Sequence, residues 1–509
     1  MTLVAVFASI GRTGLLKNSQ IEFNFAGQVT MKHALASLTF HLEGEAGPYY
    51  QQLIDQVKAG IRLQRLNPGD KLPSSRQLSV SLGVSRSTVA RAYDSLLAEG
   101  FLVSEAKRGL FVATSAQYLL NVAQAPRRDQ PMERPPILTC DSGADTATFP
   151  ARDWAASMRR SWLNPDLKVL EGAYSDGFPP LKDAIADYLY RVRGVSCTAD
   201  QVFVTSGNRD ALGVLQHALD AGLAANAHWL LENPSYTPMR ALLSNRASGL
   251  GSLEVDAEGA RLPPRSESPQ VAIITPNRQY PLGISMSPAR RQAWLQAVQE
   301  APSLWLIEDD YDNEFIYQGR MGVPLMQADT RDRCFLVGSF SKVLFRGLRL
   351  GFVVVPPGEI DRFRASQQAL GASASLPIQP VLADFMRHGR FDRHLNRMRR
   401  HYRMKRDQLL ALLTDHLTPW LDWQAPHGGM HIRVMLKPDW LAARASARWD
   451  HQIADALADN NLRLDVLSDH YATPEIGEQG FLLGFSNPPE ATMSRVVRAL
   501  ADWFERQPG

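Results

Sequence analysis

"VGSFSKVLFRGLRLGF", residues 337–352, sets one lysine, Lys342, among small, hydroxyl-bearing and apolar residues, with Arg349 seven positions further on. A lysine held against apolar surroundings titrates below its usual range, and its neutral amine can attack a carbonyl carbon. Ser339, Ser341 and Arg349 suit an oxyanion, because hydroxyls, a guanidinium and backbone N–H groups converge at a strand-to-helix turn. Taken alone, a lysine is most often a solvated surface residue, so its meaning depends on what else the chain brings to the same place.

Working outward, residues 137–509 alternate amphipathic helical stretches with short apolar runs rich in β-branched residues. "QVFVTSG" (201–207), "VAIITP" (271–276), "LWLIEDDYD" (304–312), "RCFLVGSFSK" (333–342) and "LGFVVVP" (350–356) each read as a buried strand ending in polar residues. The class is therefore α/β, and in open sheets of this class ligands sit beyond the carboxyl ends of the strands. That rule gathers Ser206, Gly207 and Asn208, then Asn277 and Gln279, then Asp309 and Tyr311, then Ser339, Ser341 and Lys342 at one edge. A buried carboxylate such as Asp309 needs a cation, and a protonated ring nitrogen would serve. Lysine, phosphate cradle and acid together describe a site for pyridoxal 5'-phosphate.

The N-terminal part has another character. Residues 46–115 hold nine Lys and Arg against five acids, an excess of four, while the whole chain carries only +3. Tyr50, Leu53, Ile54, Val57 and Ile61 recur at helical spacing. After the turn residues "NPGDKLPSS" comes a short helix capped by Ser74 or Ser75 and ended at Gly83. A second helix starts at Ser85, carries Val89, Tyr93, Leu96 and Leu97 on one face, and stops at Gly100. Two short helices across a tight turn make a helix-turn-helix, and "FLVSEAKRGLFVAT" adds a hairpin wing. In such a module the N-terminal residues of the second helix enter the major groove of double-stranded DNA. Ser85, Arg86, Ser87, Thr88 and Arg91 are the candidates, with Arg76 bracing from the first helix and Arg108 reaching from the wing.

At 509 residues and 45% hydrophobic, the chain can build more than one core. Its three scattered cysteines offer neither a disulfide framework nor metal-ligand spacing, which points to a reducing cytoplasm and no metal centre. No apolar run has the length of a membrane span, and the first residues lack the basic start of a signal peptide. The expected organisation is an unstructured extension over 1–30, a DNA-binding domain over 46–114, a proline-containing linker over 115–136, and an effector domain over 137–509.

"PGDKLPSSRQLSVSLGVSRSTVARAYDSLLAEGFL" (68–102) resembles the GntR-type winged helix almost end to end. "GAYSDGFPPLKDAIADYL", "VTSGNRDAL", "LENPSY", "TPNRQYPLG", "IEDDYDNEF" and "GSFSKVLFRGLRLGF" follow in the order found in fold-type I aminotransferases. Coupled in this way, the chain resembles the MocR/GabR family of transcription regulators. The resemblance implies pyridoxal phosphate on Lys342, Asp309 at the pyridinium nitrogen, and Tyr311 with Gln279 or Asn277 at the phenolic oxygen. It implies Ser206, Gly207, Asn208, Ser339, Ser341 and Arg349 at the phosphate and Tyr236 stacked on the ring. Tyr174 would reach the partner subunit's phosphate in a homodimer. The implied function is a DNA-binding regulator that senses a primary amine or amino acid by external aldimine formation at Lys342; the alternative is a working aminotransferase with an attached DNA-binding domain.

Three departures bear on the ligand. "AYSDGFPPL" is about two residues shorter than the pattern that places Tyr174, Arg278 stands where many members have histidine, and "LLGF" has Leu482 where aminotransferases carry the arginine that meets a substrate carboxylate. Arg240, Arg278, Arg346 and Arg433 are candidates to replace that cation, and His427 and His431 lie near the substrate side.

Overall fold

The computed structural model describes residues 19–23, 29–33, 40–43, 47–116, 118, 137–222, 227–244, 249–319, 322–442 and 448–507. Contacts divide the chain into a unit over Met1–Arg134 and a unit over Pro135–Gly509. Most of the stretch read as a linker, 117 and 119–136, lies outside the described residues. The extension read as unstructured differs in part: β1 (Ser19–Phe23) pairs antiparallel with β2 (Val29–His33), Ile21 opposite Met31 and Phe23 opposite Val29. Apolar and polar residues alternate in both segments, which is the strand period. The rest of the extension, 1–18 and 24–28, lies outside the described residues.

In the first unit, α1 (Tyr49–Arg62) buries Leu53, Ile54, Val57 and Ile61, the face its spacing predicts. The next helix, α2 (Ser75–Leu82), opens on a reciprocal cap: Gln77 N donates to Ser74 Oγ at 3.2 Å, and Ser74 N to Gln77 Oε1 at 3.0 Å. Gly83 closes it with φ +65°, a left-handed conformation open to glycine at little cost. In α3 (Arg86–Ala98), Val89, Ala92, Tyr93 and Leu96 pack inward, and Tyr93 Oη donates to Pro73 O at 2.9 Å, tying the helix to the turn before α2. The wing is β3 (Leu102–Glu105) against β4 (Gly109–Val112), with Leu102 opposite Val112.

The second unit is built on an eight-stranded sheet. In chain order its strands are β5 (Val202–Thr205), β6 (His228–Asn233), β7 (Leu250–Asp256), β8 (Gly259–Ala260), β9 (Gln270–Ile274), β10 (Leu304–Asp310), β11 (Cys334–Ser339) and β12 (Gly351–Val354). Across the sheet they run β5-β12-β11-β10-β9-β6-β7-β8. The contiguous set β11, β10, β9, β6 and β7 is parallel, and every residue of β9 and β10 is buried. Such strands read as unbroken apolar runs because helices cover both faces.

One strand departs from the sequence reading. "LGFVVVP" forms β12, antiparallel to both neighbours, so it is the start of this strand that lies at the functional edge. Arg349 reaches that edge from before the strand, in the left-handed conformation at φ +49°.

A four-stranded antiparallel sheet completes the unit: β13 (Leu421–Trp423), β14 (His431–Leu436), β15 (Asp465–Val466) and β16 (Gly480–Gly484), in the order β13-β14-β16-β15. Leu138–Thr139 pairs in parallel with Leu462–Arg463 as a separate two-stranded sheet, which fastens the start of the unit to the segment just ahead of β15. Among the described residues no helix is long and apolar enough to cross a membrane, and no three His, Cys, Asp or Glu gather as a metal site.

Candidate functional site

A cavity of ≈ 440 Å³ opens at the edge where β5, β10 and β11 end and β12 begins. Ser206, Gly207, Asn208, Tyr236, Asp309, Tyr311, Ser339, Ser341, Lys342 and Arg349 all line it, so ten of the residues read from sequence meet in one space. They come from five separate segments, and only the sheet brings them together.

Strand alternation explains which acid of "EDD" serves the site. Successive side chains of β10 point to opposite faces, so Asp309 faces the cavity while Glu308 and Asp310 face away. Asn208 Nδ2 donates to Asp309 Oδ1 at 2.6 Å, and among the described residues no cation pairs with this carboxylate. Burial, and then the nearby carboxylates of Asp310, Glu232 and Asp312, push its pKa up to about 8. Asp310 instead forms a buried ion pair with Arg193.

Lys342 Nζ donates to the Ser142 carbonyl at 2.8 Å and to Ser142 Oγ at 3.3 Å. Burial pushes its pKa down, against the pull of the Asp312 carboxylate. Ser142 is a site residue that sequence reasoning missed: it lies 200 positions from the lysine, in a stretch with no periodic signal.

Opposite the lysine, α4 (Asn208–Gly222) begins directly after β5. Gly207 has φ +106°, and a Cβ added there would find no heavy atom within 4 Å. Arg349 and Arg209 line the same region and make no hydrogen bond or ion pair among the described residues. Arg209 was not among the expected contacts. Two unpaired guanidinium groups, an open glycine turn and a helix N-terminus form an anion cradle. The buried Asn208 Oδ1 likewise lacks a partner. The donor set therefore fits a group that joins an anion to a cationic ring nitrogen, with a carbonyl carbon within reach of Lys342.

Several expected contacts are not made. Asn277 points to the far face of the sheet, where Nδ2 reaches Asp310 Oδ1 at 3.2 Å and Oδ1 accepts from Arg291 at 2.6 Å. Gln279 is fully engaged by its own turn and by Pro234 after β6: Nε2 donates to Pro234 O at 2.7 Å and to Tyr280 O at 2.8 Å, and Oε1 accepts from Leu282 N at 3.0 Å. Tyr280 takes the place expected for them, lining the cavity with its ring edge-on to Tyr311 and Tyr236. Tyr174 Oη donates to Asp166 at 3.0 Å and does not line this chain's own cavity.

The candidate effector cations also separate. Arg278 is buried and bonded to Asp312, Gly428 O, Tyr311 and a ring nitrogen of His431. His431 donates from Nε2 to Pro281 O at 3.0 Å, and burial with the adjacent Arg278 guanidinium pushes its pKa well down. Arg278 and His427 line a different cavity of ≈ 490 Å³, whose lining does not include Lys342. Arg240 holds Ser235 Oγ and His470 O, and Arg433 pairs with Glu478 at 3.1 Å. Only Arg346 lines the cavity, paired with Asp141 at 2.5 Å.

On the DNA-binding unit, Arg76, Arg86 and Ser87 are exposed. Ser85 caps α3, its Oγ accepting from Thr88 N at 3.1 Å, and the same oxygen lies 2.8 Å from the hydroxyls of Ser87 and Thr88. Arg91 lies 4.0 Å over the Tyr50 ring, and Arg108 pairs with Glu105. Arg76 and Arg86 are therefore the expected contacts whose guanidinium groups have no partner among the described residues.

Comparison with known proteins agrees with both units. Residues 49–112 match the family "Bacterial regulatory proteins, gntR family", and residues 144–464 match "Aminotransferase class I and II". The chain is 33% identical to the probable rhizopine catabolism regulatory protein MocR of Rhizobium meliloti, over 90% of this chain and 94% of that one. It is 31% identical to the pyridoxine biosynthesis transcriptional regulator PdxR of Corynebacterium glutamicum, over 89% and 95% respectively. The multiple substrate aminotransferase of Thermococcus profundus superposes with a TM-score of 0.64 at 20% identity, covering 73% of this chain and 92% of that one.

Proposed function

This chain belongs to the MocR family, DNA-binding transcription regulators in which a GntR-type helix-turn-helix is joined to an aminotransferase-like domain, and we propose that it senses a primary amine or amino acid through external aldimine formation at Lys342. The aminotransferase class I and II fold implies pyridoxal phosphate binding. When bound, the cofactor supplies a carbonyl carbon that Lys342 and an incoming amine can exchange.

The carrying observation is that Asp309 and Lys342 face one cavity, a buried carboxylate with no cation partner among the described residues and an amine whose pKa is lowered. Asp309 would hold a proton on the ring nitrogen, with Asn208 fixing its orientation. Arg349, Arg209 and the Gly207 turn would hold the phosphate. Tyr311 would donate to the phenolic oxygen, and Tyr236 would cover the ring. In a homodimer, Tyr174 would reach the partner's phosphate. Lys342, once displaced, has a seat on Ser142. That residue belongs to a segment tied to the second sheet by Ser486 Oγ donating to Gly143 O at 2.6 Å and Gly484 N to Cys140 O at 2.8 Å. Exchange at Lys342 therefore changes the load on a strap between the two sheets, a difference between states of the kind ligand-driven coupling requires.

The test is absorption of the full chain reconstituted with cofactor, combined with an operator mobility shift with and without amine. An absorption band lost in Lys342→Ala, and a mobility shift altered by amine only when Lys342 is present, are expected. A wild-type protein that takes up no cofactor contradicts the proposal.

A further inference from the structure

Within the cavity almost every charged side chain already has a partner or a role. Arg346 is paired with Asp141 at 2.5 Å. Glu232 is held by Thr275 N at 3.0 Å and Thr275 Oγ1 at 2.5 Å. Asp309, Lys342, Arg209 and Arg349 face the proposed cofactor. The other charge is Asp465, on β15, whose side chain is 53% exposed and whose one partner among the described residues is the His470 ring.

Its position gives it meaning. Asp465 stands opposite Leu482 in the register of β15 and β16, and Leu482 occupies the place where the aminotransferase resemblance leads one to expect a carboxylate-binding arginine. On the other flank Leu482 faces Arg433, but that guanidinium turns to Glu478 and does not line the cavity. Asp465, which lines the cavity, thus stands beside an apolar residue, itself outside the lining, where the resemblance leads one to expect a cation. His470 Nε2 lies 3.2 Å from Asp465 Oδ1, and Oδ2 has no partner among the described residues. Tyr280 flanks the position, its ring 5.3 Å from that of His470 and 5.6 Å from that of Tyr236. The Tyr280 hydroxyl is pushed well up by burial and next by the Asp465 carboxylate, which agrees with their proximity.

An open carboxylate beside aromatic rings attracts ammonium and amidinium groups and repels carboxylates. We propose that the effector is a primary amine carrying a second cationic group, and that Asp465, with Tyr280 beside it, binds that far end. This rests on the amine-sensing reading above and adds the chemical class of its ligand. Under it, 4-aminobutanoate brings a negative charge against Asp465, butylamine brings none, and 1,4-diaminobutane brings the matching one.

The experiment titrates the cofactor-loaded full chain with these three amines and follows the cofactor's absorption, with the operator mobility shift as a second readout. In the wild type, 1,4-diaminobutane should half-saturate at least about tenfold below butylamine, and 4-aminobutanoate above it, as an ion pair in a partly exposed site allows. Asp465→Asn should bring the diamine and butylamine together, and Asp465→Lys should move the preference toward 4-aminobutanoate. Both variants change an exposed side chain, and the ratio between ligands is read rather than any absolute affinity. A wild type that responds to butylamine but shows no diamine advantage, or an advantage that survives Asp465→Asn, overturns this inference while leaving amine sensing intact. If none of the three amines changes the absorption, both fall.

Discussion

Lys342 Nζ and the Ser142 carbonyl oxygen are 2.8 Å apart although 200 positions separate them in the chain, and the Ser142 hydroxyl adds a longer contact of 3.3 Å. The main-chain carbonyl carries most of this seat, because hydrogen-bond strength falls with length and misalignment. Ser142→Ala should therefore keep the cofactor absorption and change cofactor affinity by no more than about threefold, the lower end of a single neutral bond's worth. Lys342→Ala should abolish the absorption. Loss of the band in Ser142→Ala would show that the hydroxyl, not the carbonyl, positions the amine.

Arg349 and Arg209 are expected to recognise the cofactor through its phosphate alone. Arg349→Ala and Arg209→Ala should each weaken pyridoxal phosphate binding by roughly ten- to a hundredfold, the range of a charge-assisted bond. Neither should alter binding of pyridoxal, which lacks the phosphate. Equal losses for the two compounds, measured by fluorescence titration, would contradict the phosphate role.

Asp309 predicts a pH dependence with a definite sign. Its folded-state pKa is raised to about 8, so the apo protein favours the protonated carboxyl and is penalised once the group must ionise. The penalty is absent below the ordinary carboxylate range, grows as pH rises through about 4 to 8, and is complete above about 8. Asp309→Asn should raise the melting temperature of the apo protein more at pH 8 than at pH 5. Cofactor in the wild type should have a similar selective effect by supplying the missing cation. A variant with the same gain at both pH values would mean that the wild-type carboxylate already has a counter-charge.

How much of this was legible in the chain follows from where each residue lies relative to a strand. Lys342, Asp309 and Ser206 were readable because they end buried apolar runs, and the parallel sheet aligns such ends. Asn277 and Gln279 were misplaced because the chain turns sharply after β9: Gln279 N donates to Ile284 O at 2.7 Å, drawing Gln279 into the turn and leaving Tyr280 at the cavity. Spacing fixes that a polar residue follows a strand, but not which way a short turn rotates it. Asp465 and Ser142 carried no signal for a different reason. They come from short irregular segments of the second sheet and the unit's first residues, and only tertiary packing brings them to Lys342.

On the DNA-binding unit, two neighbouring residues should separate by assay. Ser85 caps α3, so Ser85→Ala should lower that unit's stability by about 1 kcal/mol. The exposed Arg86 has no partner to lose among the described residues, so Arg86→Ala should leave stability unchanged and weaken operator binding. If Arg86 contacts a phosphate, the slope of log affinity against log salt should fall by about one; a base contact should instead relax discrimination at one position, by about 1–3 kcal/mol. Unaltered operator affinity in Arg86→Ala would remove α3 from the major groove.

Arg278 is the sharpest case of a residue whose sequence reading and structural role diverge. The sequence makes it a candidate to meet an acidic group of the ligand, yet its guanidinium is buried and holds Asp312, Gly428 O, Tyr311 and His431. Removing one member of a buried pair leaves the other charge without compensation, so Arg278→Leu should destabilise the protein by about 3–5 kcal/mol. Replacing both partners, as Arg278→Leu with Asp312→Leu, should recover a substantial part of that loss, because two apolar groups need no counter-charge. Burial pushes the Asp312 carboxyl up and the Arg278 guanidinium draws it down. The single variant should consequently suffer less at low pH, where Asp312 can take up a proton. If Arg278 instead met the effector, Arg278→Leu would keep its melting temperature and change the ratio of half-saturation by diamine and amino acid. Thermal unfolding of the single and double variants, beside the ligand ratio of any variant that folds, decides between a strut in the wall and a contact in the site.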